Sequence, residues 1–177
     1  MTKATDFTSD EAELLFSLTF VVAGTSLAIV HGSALKVVKT AFSLYLIVRD
    51  TSRQFPDSEL VQTIFAQKGG QHQQEHNERL EKHLGNNEDI TITAKQGKDR
   101  ESSIRVRNEM CEQAIGILNE KCPAEESEGY KRWLLLIASE VMHKTKSNGF
   151  LGFGKERAEA EINQALQDFA LILQIPQ

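Results

Sequence analysis

The chain has 177 residues, 40% of them hydrophobic and 25% charged, with a formal charge of −5. That is enough for one domain with a substantial core, and the acidic balance argues against a broad nucleic-acid footprint, which needs concentrated positive charge. Asp6, Asp10, Glu11 and Glu13 against Lys3 alone argue against a basic secretory leader. The two cysteines, Cys111 and Cys122, match no zinc or redox spacing and suit reduced thiols in a cytoplasmic protein.

The first predicted helix opens at "FTSDEAELL", where Thr8 or Ser9 is an N-cap candidate and acidic residues sit at the positive helix end. It leads into an uncharged run from Leu14 to Leu35, broken by Ser17, Thr19, Gly24, Thr25 and Ser26, with an end signal at His31-Gly32. Leu14 to Val30 is short for a membrane span, which needs about 20 residues. Phe16, Phe20, Val21, Leu27, Ile29 and Val30 point in several directions, as in a helix buried all round. Gly24, Thr25 and Ser26 would permit close backbone approach. No basic juxtamembrane cluster follows, and the next uncharged run, Thr40 to Val48, is too short to cross. The expectation is a central helix of a soluble bundle and no membrane span. Peripheral membrane association is the weaker alternative.

A second helix is expected from about Ala34 to Thr51, with Val37, Val38, Ala41, Phe42, Leu44, Tyr45 and Val48 on its apolar face. Phe55-Pro56 ends it. "PDSELVQTIFAQ" reads as a short helix starting near Asp57 or Ser58 and burying Leu60, Val61, Ile64 and Phe65. From about 66 to 102 the chain turns polar, with the composition of a solvated or mobile surface. Within it, "ITITA" at 90–94 alternates like a strand but has no evident partner strand. Helical spacing returns from Arg100 to Glu120, with Ile104, Cys111, Ala114, Ile115 and Leu118 on the inner side. "CPAEESEGYKRW" supplies a turn and helix start before "WLLLIASEVMHK", and Ala158, Ile162, Ala165, Phe169 and Ile172 mark the last helix. An apolar helix, a glycine-containing break and a second helix occur near 14–50 and again near 131–173, a loose echo that suits two helical hairpins.

Two segments offer candidate chemistry. His72, His76 and His83 would share one stripe of a helix, but seven residues span about 10.5 Å, too far for three ligands to converge. His72 and His76 alone, one turn apart, could form half a metal site; a plain polar surface explains the segment more simply. In "SNGFLGFGKE", three glycines and Lys155 precede a helix, but Glu156 stands where the phosphate-binding pattern needs Ser or Thr. Phe150, Leu151 and Phe153 between the glycines read instead as anchors of a tight loop or as contacts for a partner, together with Lys155. Catalytic sets are thin. Cys111 and His143 could act together only if folding brought them close. Arg132, Glu140 and His143 are read as surface ionic contacts, and Trp133 and Tyr130 as core anchors.

With "WLLLIASEVMHKTKSNGFLGFG", "ALKVVKTAF" and "ELVQTIFA" taken together, the chain resembles an uncharacterised family of bacterial all-helical proteins. The residues that carry the likeness are Trp133, Gly149, Phe150, Leu151, Gly152, Phe153 and Gly154; the stretch from about 66 to 102 does not share it. The resemblance implies a bacterial, soluble, helical protein and brings no catalytic residues. The reading from sequence is all-α: an irregular bundle of about six or seven helices in one domain spanning 1–177. Its function is expected to be noncatalytic, cytoplasmic, and based on a protein partner or homo-oligomer, with no cofactor and no nucleic acid. The alternative is a small-molecule or metal-dependent enzyme whose site forms only in three dimensions.

Overall fold

The computed structural model describes residues 7–31, 38–66, 100–147 and 155–175, with side chains over 7–30, 44–66, 100–144 and 159–175. Six helices occur there: α1 (Ser9–His31), α2 (Val38–Ser52), α3 (59–66), α4 (Arg100–Lys121), α5 (Ala124–Ser147) and α6 (Lys155–Ile172). No strand occurs among the described residues, and "ITITA" lies outside them. The fold is therefore an all-helical bundle. The apolar run at 133–142 and the turn before it are one continuous helix, α5, longer than the spacing of its apolar residues suggests.

The first helix starts on a capping box. Glu11 N–H donates to Thr8 Oγ1 at 3.2 Å, while Thr8 N–H donates to Glu11 Oε2 at 2.7 Å. Asp10 and Glu11 also place negative charge at the positive end of the helix. By length and composition α1 could cross a bilayer, and half of its most apolar 18-residue window is buried inside the bundle. It packs chiefly on α5 and α4 and less on α2. Leu15, Leu18, Val22 and Ala23 are fully buried there, and each Leu or Val contributes about 2 kcal/mol of apolar burial. A single internal hydrogen bond adds about 1 kcal/mol; apolar packing therefore decides where α1 lies.

Gly24 permits close approach without making one: a Cβ built there meets no described atom within 4 Å. Its neighbours turn inward instead. Thr25 and Ser26 are buried, and the Thr25 hydroxyl donates to the Ser103 carbonyl of α4 at 3.4 Å.

α1 with α2 and α5 with α6 pack as neighbours, as two hairpins would, but the larger contact is α1 on α5 across the pairs. α2 ends at Ser52, where the side-chain amide of Gln62 donates to the Ser52 and Phe55 carbonyls at 2.9 and 3.0 Å. Its inner face holds Ile47 and Val48, with Leu44 only half-buried. α4 buries Cys111, Ala114, Ile115 and Leu118 as expected, and Arg107 as well. α6 buries Ile162 and Phe169, with Leu173 just past its end. That end is a Schellman motif: Gln174 N–H donates to the Leu171 carbonyl, Ile175 N–H donates to the Ala170 carbonyl, and Gln174 adopts φ 55°.

Candidate functional site

Polar side chains from different helices come together in a groove where α3 meets α5 and in a set of polar groups inside the bundle. The groove follows from how α3 begins. Its first N–H groups have no partner within the helix. Ser58 accepts from Val61 N–H at 3.3 Å, but the preceding amides are met from α5. Glu126 Oε1 accepts from Glu59 N–H at 3.2 Å, and Oε2 accepts from Leu60 N–H at 2.9 Å and from the Ser58 hydroxyl at 2.8 Å. A carboxylate at a helix N-terminus is favoured by the helix dipole as well as by these bonds. α5 comes close at this joint: a Cβ on Gly129 would stand 3.2 Å from Ser58 Oγ.

Beside the joint lies an open groove of about 660 Å³, walled by Pro56 and Pro123 and lined by Asp57, Glu59, Gln62, Glu125 and Glu126. Its charge would repel phosphate or carboxylate ligands. Its carboxylates do not form a metal cage, since among the described residues no three His, Cys, Asp or Glu side chains converge to hold an ion.

Inside the bundle, Tyr130 donates its hydroxyl to the Leu15 carbonyl at 2.6 Å, tying α5 to α1. Trp133 Nε1–H donates to Thr51 Oγ1 at 3.0 Å, tying α5 to α2, and the Thr51 hydroxyl reaches back to the Ile47 carbonyl at 2.8 Å. The Tyr130 and Trp133 rings meet edge to face, 5.9 Å between centroids. Burial pushes the Tyr130 phenol well above its ordinary range. Both residues are core anchors, as their sequence setting suggests.

Cys111 is fully buried, and burial raises its thiol to about 11 despite the opposing Arg107 charge. A thiol held protonated in this way is a poor nucleophile. The imagined partner, His143, is elsewhere engaged: Nδ1 lies 2.8 Å from the Ser139 carbonyl, and Nε2 lies 3.4 Å from Glu159 Oε1 on α6. Arg132 pairs with Glu128 and Lys144 with Glu140, which bears out the ionic reading of this helix face. Neither cysteine is in a disulfide.

Arg107 is the buried charge that the sequence reading passed over. Its Nε and Nη2 donate to Asn108 Oδ1 at 3.1 and 2.9 Å, and its guanidinium lies 4.4 Å from the Phe169 ring centroid. Burial lowers its pKa, while Cys111 and Asp168 oppose that shift; a guanidinium nevertheless remains charged. The signal was present, since Arg107 falls between Ile104 and Cys111 at the inward three- and four-residue steps. Ser58 was readable as a helix start, but its meeting with Glu126 had no such signal, because that contact is tertiary. The hydroxyls of Ser26 and Ser127 are buried without a hydrogen-bond partner among the described residues.

His72, His76, Phe150, Leu151 and Phe153 lie outside the described residues; Lys155 opens α6, but its side chain is outside them too. Compared with known proteins, the chain matches no family model, no curated protein and no solved structure.

Proposed function

We propose that this chain is a soluble, noncatalytic helical protein of a bacterial cytoplasm that acts by binding a protein partner or a second copy of itself. The observation that carries the reading is where the perturbed ionisable groups sit. Cys111, Tyr130 and Arg107 are enclosed by packing, and Glu11 belongs to a helix cap; none of the four lines the groove. An active site usually gathers such groups in a cleft. The family resemblance is the ground for the bacterial setting, and the unbridged cysteines suit a reducing compartment.

α1 is read as the core helix of a soluble bundle. Its buried face and the Tyr130 bond to its backbone support that reading over a membrane span. Leu171, 63% exposed, and Val106, 44% exposed, are the large apolar side chains most open to solvent among the described residues. Two side chains fall far short of the roughly 1,200 Å² that a stable interface buries. A partner must therefore engage further surface.

Native mass spectrometry on detergent-free protein purified without a histidine tag, repeated after denaturation, tests the proposal. A defined oligomer, or a co-purified protein partner lost on denaturation, is the expected result. A reproducible small-molecule or metal mass would overturn it in favour of a ligand-dependent enzyme. Protein recovered only with lipid or detergent would overturn the soluble reading of α1.

A further inference from the structure

We draw no further inference here: the strongest candidate, the acidic groove between the N-terminal turns of α3 and α5, is a cluster of carboxylates in which Glu126 already caps α3, and nothing in the structure points to a ligand that fills it.

Discussion

The N-termini of α1 and α3 are closed in opposite ways. At α1 the partners are Thr8 and Glu11, three residues apart, and the cap forms with the helix itself. At α3 the capping carboxylate is Glu126, which reaches Ser58, Glu59 and Leu60 from 66 to 68 positions away. An isolated helix needs about 12–15 residues to persist in water. The α3 residues described, 59–66, are held instead by the burial of Leu60, Val61 and Ile64 and by this borrowed cap. The difference teaches that α1 can begin on local instructions, whereas the start of α3 depends on α5 being in place.

The comparison is sharpened most by a distant fastening inside the core. Trp133 meets Thr51 across 82 positions from the centre of the core, and its side chain is fully buried. Trp133→Ala is expected to cost about 3–5 kcal/mol of folding stability. Urea unfolding followed by circular dichroism is the right measurement, because Trp133 is the only tryptophan. A loss below about 1 kcal/mol would mean that distant fastenings in the core matter no more than local ones.

Glu126→Ala comes next, at about 2 kcal/mol, since it strips a charged acceptor from three donors at once. Ser58→Ala and the double variant complete a thermodynamic cycle. Coupling of about 0.5 kcal/mol or more is expected for two groups in direct contact. Strict additivity of the two losses would show that the Ser58–Glu126 bond contributes nothing. Amide exchange at Glu59 and Leu60 should also quicken in Glu126→Ala while exchange at Glu11 stays unchanged; equal quickening at both helix starts would remove the distinction between them.

What was legible in the sequence divides along the same line. The helices were readable because Leu60, Val61 and Ile64, or Cys111, Ala114 and Leu118, recur at helical steps that depend only on nearest neighbours in the chain. Thr8 as a cap was readable because its partner is one turn away. The Glu126 joint was not: Ser58-Glu59-Leu60-Val61 lacks the acid at the third position that would close a local box, and no spacing rule links 58 to 126. Arg107 lay on the correct stripe but was missed because an arginine is seldom expected inside; the Phe169 ring that covers it comes from another helix. Gly24 shows the limit of such a signal, since a small residue permits close packing without requiring it.

Breaking the local cap should matter less than breaking the distant one. Thr8→Ala is expected to cost about 1 kcal/mol. Glu11 adds a pH signature. The hydrogen bond from Lys121, then that from the Thr8 backbone, holds its carboxyl below the usual 4.5. A carboxyl depressed in the folded state stabilises above its unfolded value and loses that contribution as pH falls through its folded value. The stability gap between wild type and Glu11→Gln should therefore be constant near neutrality and close below about pH 4.5. A gap that persists undiminished to pH 3 would mean that the charge of Glu11 is not what fastens the cap.

The smallest effect has the opposite sign and concerns a helix that closes itself at its other end. Gln174 holds φ 55° so that its own N–H and that of Ile175 can reach the Leu171 and Ala170 carbonyls. A side chain in the left-handed region costs roughly 1–2 kcal/mol. Glycine removes that strain but returns about 0.5–1 kcal/mol through its freer unfolded chain. Gln174→Gly should thus stabilise the protein by about 0.5 kcal/mol, while Gln174→Ala, which keeps Cβ, should change it little. Equal stabilities for the glycine and alanine variants would show that the end of α6 bears no backbone strain, and that its closure is set by its local hydrogen bonds alone.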